Sequence, residues 1–192
     1  MELDEGIIAV KAARSSIEAE TVGLPPKVEF PKSFDRKSGV FVTINTYPQG
    51  NLRGCSGYPE PVYPLKDALV YSAQSACHDP RFIPLSEREA VSCTVEVTIL
   101  SQPEEMECEK KDLPKNIVIG RDGLIIQSKG RRGLLLPQVP VEWGWGTEEF
   151  LEHLCDKAGL PRDAWKLKET TIWSFTGEIF KETSPRGEIV KG

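Results

Sequence analysis

The chain has 192 residues, with 24 lysines and arginines against 29 aspartates and glutamates, so its net charge is −5. At 39% hydrophobic and 28% charged it is composed like a folded globular protein, not a disordered or collagen-like one. The acidic balance speaks against general nucleic-acid binding, and no apolar run nears the roughly 20 residues that span a bilayer; neither nucleic acid nor a membrane is an expected partner.

Leu3, Ile7, Val10, Ala13 and Ile17 recur every three or four residues and predict a helix with those side chains on one face. Gly23 and Pro25-Pro26 stop it. The opening Met1-Glu2-Leu3-Asp4-Glu5 lacks the basic and apolar regions of a signal peptide, so a cytoplasmic location is expected. Residues 25–38 read as a surface connection. Val40–Ile44 is a β-prone run, Tyr47–Asn51 a turn, and the chain from Leu52 a second extended arm, which together predict a hairpin.

A helix is predicted from about Pro64, with Leu65, Ala68, Leu69, Ala73 and Ala76 as its buried stripe and Asp79-Pro80 as its end. Ser86-Glu87-Arg88-Glu89 is a capping box. Val91, Cys93, Val95, Val97 and Ile99 alternate with polar residues, which predicts a strand with these five on the core face and Glu96 on the other.

Residues 101–115 are acidic, with Pro103 and Pro114, and the boundary is placed at their end. Residues 1–115 then form a larger N-terminal α+β subdomain, and 116–192 a smaller β-rich one with one helix. Short strands are expected at Ile117–Ile119, Leu124–Gln127 and Leu134–Leu136, with turns at Gly120–Gly123 and Lys129–Gly133. A helix capped by Thr147 carries Phe150, Leu151, Leu154, Cys155 and Ala158 to Gly159. Thr171–Phe180 is a last strand, and residues 183–192 a loose tail. Without regular βαβ alternation, the class is α+β, with helices packed on mixed or antiparallel sheets.

The five cysteines, Cys55, Cys77, Cys93, Cys108 and Cys155, form no CxxC pair, and their number is odd. Reduced thiols are expected, and neither a metal nor a cofactor. His78 and His153 are the only histidines, and neither has an evident nucleophile beside it; His78 is read as a cap on the preceding helix and His153 as solvent-facing.

Leu52-Arg53-Gly54-Cys55-Ser56-Gly57 is the densest motif. If the segment is extended, Arg53 and Cys55 lie on the same face, where a guanidinium favours the thiolate. Gly54 and Gly57 let a ligand approach the backbone. The competing reading is a small buried thiol in a tight segment. Arg81, in Asp79-Pro80-Arg81-Phe82, is either a second anion-binding cation or a partner of helix carbonyls, with Phe82 a core plug. Glu96 is either a base for Cys55 or a cross-strand partner of Arg53 or Arg81, and the pair is the favoured reading. Trp143-Gly144-Trp145-Gly146 reads as cover for a core edge or an interface, and Lys129–Gly133 as a solvated basic turn.

The Leu-Arg-Gly-Cys-x-Gly motif resembles the signature of the AMMECR-type domain family. Gly39–Thr43, Asp79–Phe82, Val95–Val97, Gly133–Val139 and Lys157–Leu160 resemble further blocks of that family in the same order, in the manner of archaeal single-domain members. Ser56 stands where the family usually has isoleucine, and His78 also departs from its pattern. The resemblance implies an α+β fold and no established activity. It also implies Memo-type or radical-SAM proteins as partners, since members are encoded beside or fused to them. Two functions follow for the segment Leu52–Gly57. One is a cysteine-centred site with Cys55 and Glu96 as catalytic residues and Arg53, Gly54, Gly57 and Arg81 binding an anionic ligand. The other is a non-catalytic adaptor presenting this surface to a protein.

Overall fold

The computed structural model describes residues 2–192 and has the α+β class. It divides into two compact units, one made of the chain up to Leu100 together with Glu178–Gly192, the other of Ser101–Gly177. The expected division was contiguous and fell after residue 115. The units part earlier because the chain enters the second unit's sheet directly after Leu100, and its last residues return to the first.

The first unit holds α1 (Leu3–Thr21), β1 (Val40–Asn45), β2 (Leu52–Tyr58), α2 (Leu65–Ala76), the short α3 (Glu87–Ala90) and β3 (Thr94–Leu100). The end of β7 (Thr171–Glu182) and β8 (Ile189–Lys191) complete it. Its strands run in the order β2-β1-β3-β7, with β8 antiparallel to β7. Val40, Val42 and Ile44 pair with Ile99, Val97 and Val95, and all six are buried. Alternation thus builds one apolar face. The small residues Ala9, Ala12 and Ala13 of α1 and Ala68, Ala73 and Ala76 of α2 join these in one core. Gly6 lies against the Phe180 ring, where a Cβ would collide with it.

Four expectations about this unit are corrected. The buried face of α1 runs through Gly6, Ala9, Val10, Ala13 and Ile17, whereas Leu3 is exposed and Ile7 only half-buried. Val91 is exposed, because α3 runs up to it and the strand begins only at Thr94. Residues 183–192 are not a loose tail. Their β8 pairs with β7, and the buried Glu182 ahead of it receives Arg14 of α1 and the Val95 N–H. His78 does not cap α2 with its ring, which instead meets Glu20 at 2.9 Å.

The second unit contains β4 (Glu104–Glu105), α4 (Leu113–Asn116), β5 (Asp122–Ser128), β6 (Arg131–Leu135), α5 (Gln138–Trp143), α6 (Thr147–Lys157) and the first half of β7. β5 pairs antiparallel with β6 on one side and β7 on the other. Phe150, Leu151, Leu154 and Cys155 of α6 close a core with Leu124, Ile126, Ile172 and Trp165. Ile117–Ile119 is not a strand: Asp122 clasps this stretch into a loop by accepting the Val118 N–H at 2.8 Å. The N-cap of α6 is Gly146 instead of Thr147, and the Glu149 carboxylate accepts the Gly146 N–H at 3.0 Å. Helix α5 was not anticipated; Pro137 stands at its N-cap and Pro140 in its first turn, where a missing N–H is tolerated.

Candidate functional site

The β1–β2 hairpin presents the Leu-Arg-Gly-Cys motif on β2. Val42 faces Ser56, Thr43 faces Cys55 and Ile44 faces Gly54, but the next pair is Asn45 with Leu52. Arg53 is therefore the extra residue of a bulge, and a bulge breaks the two-residue alternation. Arg53 turns to the helix side. There its guanidinium donates to Glu89 at 2.9 and 3.2 Å and to the Ile83 carbonyl at 3.0 Å. Its charge bears on the buried Cys77 and Cys93. The expected neighbourhood of Arg53 and Cys55 on one face is thus corrected.

Gly54 and Gly57 are set by packing. A Cβ on Gly54 would strike the Ala76 carbonyl at the end of α2, and one on Gly57 would strike Val40 and the Phe41 ring. Ser56, paired with the buried Val42, lies on the helix side of β2.

Cys55 points the other way and is half-buried. The Thr43 hydroxyl lies 3.4 Å from its sulfur as a donor. Its backbone N–H donates to Asp79 at 2.9 Å. The same nearly buried carboxylate accepts the Arg81 backbone N–H at 3.0 Å and two guanidinium bonds at 3.0 and 2.6 Å. The Arg81 guanidinium, chiefly, holds the Asp79 carboxyl well below the usual carboxylate range. The Arg81 side chain is 57% exposed and feels the Cys55 sulfur. Through the shared Asp79 carboxylate, Arg81 and not Arg53 is tied to the Cys55 backbone. It serves no helix carbonyl, and Phe82 is not a core plug: its half-buried ring lies under both arginines, 5.7 Å from the Arg53 guanidinium carbon and 5.8 Å from that of Arg81.

Glu96 sits opposite Thr43 on β3, so Cys55, Thr43 and Glu96 form one row across three strands. Two interstrand spacings put the Cα atoms of Cys55 and Glu96 about 10 Å apart. Burial raises the Glu96 carboxyl above its ordinary pKa, and Lys181 opposes this in part. The favoured cross-strand pair with Arg53 or Arg81 does not form, because Glu89 and Asp79 have taken those arginines. Arg53 and the capping contacts of Ser86 bring Glu89 down to about 2.

Cys77, Cys93 and Cys155 are buried, and burial pushes their thiols up, Cys77 to about 12. Sequence reading missed Thr43, Asp79 and Glu89 as parts of this assembly. Asp79 was visible only as a helix stop and Glu89 only as a cap. Thr43 carried one signal: a polar residue in an otherwise apolar run, on the face opposite Val42 and Ile44. Among the described residues no three metal-ligating side chains cluster, and no helix is long and apolar enough to cross a membrane.

A protein of Aquifex aeolicus is 49% identical to this chain over 93% of it and 91% of the relative. Protein MJ0810 of Methanocaldococcus jannaschii is 49% identical over 98% of this chain and 96% of its own. The crystal structure of the uncharacterised protein PH0010 from Pyrococcus horikoshii superposes with a TM-score of 0.79 at 45% identity, covering 98% of this chain and 97% of that one. The AMMECR1 family model matches residues 10–180. With nine-tenths of its sequence inside that match, and with relatives this similar along their whole length, the chain belongs to the AMMECR1 family, whose function is uncharacterised.

Proposed function

We propose that the row Cys55–Thr43–Glu96, with Arg81, is a binding site for a small anionic molecule, with Cys55 as the accessible thiol beside it. The observation that carries this reading is the placement of Arg81. Asp79 fixes its guanidinium through two bonds, yet the side chain stays mostly open to solvent beside an accessible thiol. A guanidinium tied on one edge keeps N–H groups free on another, a geometry suited to a carboxylate or phosphate. The Thr43 hydroxyl, 3.4 Å from the sulfur, donates to it from the same row. Glu96 is too far along the row to take the Cys55 proton directly. Its raised carboxyl serves instead as a donor or acceptor to the far end of a ligand lying over Thr43. All five cysteines are free, which supports a reducing, cytoplasmic setting.

The test is alkylation of the native protein with iodoacetamide at neutral pH, mapped by mass spectrometry. Cys55 is expected to label first, ahead of the half-buried Cys108 and the three buried thiols. Labelling of Cys108 with Cys55 silent would leave the motif to the adaptor reading. That second reading has one observation of its own: Ile83, between the two arginines' loop contacts, is 77% exposed.

A further inference from the structure

In the second unit, Trp143 ends α5 and Gly144 turns the chain with φ 68°. A left-handed residue there is open to glycine at no steric cost. The turn lays Trp145 against Trp143, ring centroids 6.0 Å apart and planes within 17°. Trp145 in turn stacks on His153 of α6 at 3.8 Å and 10°, and packs on the second unit's core. The result is a ladder of three rings, anchored at its inner end and ending in an indole that is 71% exposed. His153 is thus an aromatic step in the ladder, not a free surface histidine.

The chain on either side of the outer ring is acidic: Glu142 precedes Trp143, and Glu148 and Glu149 lie in the first turn of α6. Glu142, Glu148 and Glu149 are exposed, and among the described residues Glu142 and Glu148 have no ion-pair partner. Glu149 is spent on the Gly146 N–H. Farther along α6, Glu152 and Asp156 are answered by Arg162, and Asp156 also faces His153. A rigid indole face beside unanswered carboxylates suits a planar, weakly hydrated cation, which stacks on the ring while its N–H groups reach the carboxylates.

We propose that Trp143, with Glu142 and Glu148, is a docking site for an arginine side chain in a basic segment of a partner protein. Charge complementarity decides the occupant: a nucleotide or acidic peptide brings its anionic groups to the same carboxylates. The site is independent of Cys55 and stands or falls without it.

The experiment titrates the full chain with a hexapeptide of alternating glycine and arginine, following the Trp143 indole N–H by NMR. Lysine and glutamate versions of the peptide, and adenosine monophosphate, are the comparisons. The arginine peptide is expected to move the Trp143 resonance and to bind more weakly as salt rises. Trp143→Ala is expected to lower its affinity about tenfold with an unchanged melting temperature, and Trp143→Phe to restore part of it. Glu142→Gln with Glu148→Gln is expected to weaken binding too. An unshifted Trp143 signal, equal affinity in Trp143→Ala, or tighter binding of adenosine monophosphate than of the arginine peptide would each overturn the proposal.

Discussion

The Asp79 carboxylate accepts the backbone N–H of Cys55, 24 residues earlier in the chain, at 2.9 Å. One nearly buried side chain therefore joins the motif strand to the loop that carries Arg81. Asp79→Asn keeps an acceptor but removes the charge, and is expected to cost about 1–3 kcal/mol in a denaturant melt. A loss within error would show that the bonds to Cys55 and Arg81 contribute nothing net.

The two arginines differ in kind. Arg53 is 9% exposed and holds both Glu89 and a carbonyl, whereas the Arg81 side chain is 57% exposed. Arg53→Ala removes a nearly buried side chain together with its bonds to the part-exposed Glu89 and to the Ile83 carbonyl, and is expected to cost about 1–3 kcal/mol. Arg81→Ala leaves the nearly buried Asp79 carboxylate without its guanidinium, though still accepting the N–H groups of Cys55 and residue 81, and is expected to cost about 1–3 kcal/mol. A loss within error in either melt would show that the bonds of that arginine contribute nothing net.

Carboxylates in this unit titrate in opposite senses. Asp79 and Glu89 are depressed, so the folded state binds fewer protons than the unfolded one. Their contribution is present above the unfolded carboxyl pKa of about 4. It is lost as pH falls through the folded values, toward about 2 for Glu89. Glu96 is raised by burial, so its contribution is present at acid pH and lost as pH rises through its folded value. Glu96→Gln is accordingly expected to stabilise the protein at neutral pH and to have no such effect near pH 3. Melts at the two pH values check this, and the reverse order would contradict it.

Arg14 and Glu182 are both buried, and the guanidinium also donates to the Ala90 and Cys93 carbonyls. Glu182→Ala leaves an uncompensated buried charge and is expected to cost about 3–5 kcal/mol. A loss below about 1 kcal/mol would mean that water reaches Arg14.

What was legible in the sequence was whatever local periodicity dictates. The β1 and β3 alternation, the stripe of α2 and the Ser86–Glu89 box need only neighbours in the chain. Arg53 shows where that reasoning ends. Its spacing from Cys55 puts the two on one face unless a bulge intervenes, and the bulge depends on pairing with β1, which a single strand does not display. The tail was misread for the same reason: Ile189–Lys191 is too short to announce a strand, and the contacts that tie down the turn before it, Glu182 on Arg14 and Arg186 on Glu18, are with residues far off in sequence. The glycines looked like room for a ligand. Packing against Ala76 and Phe41 accounts for them, and that follows from how α2 and β1 lie on β2. At the site, Asp79 and Glu89 were each assigned a local task, and each also holds an arginine distant or nearby in sequence.

The most direct measurement compares iodoacetate with neutral iodoacetamide as alkylating agents for Cys55, each rate normalised to glutathione. An anion site at Arg81 predicts that Cys55 favours iodoacetate, that added salt erodes the preference, and that Arg81→Ala abolishes it while Arg81→Lys retains part. No preference for iodoacetate, or one that survives in Arg81→Ala, would contradict the assignment of Arg81 and Cys55 to a common site.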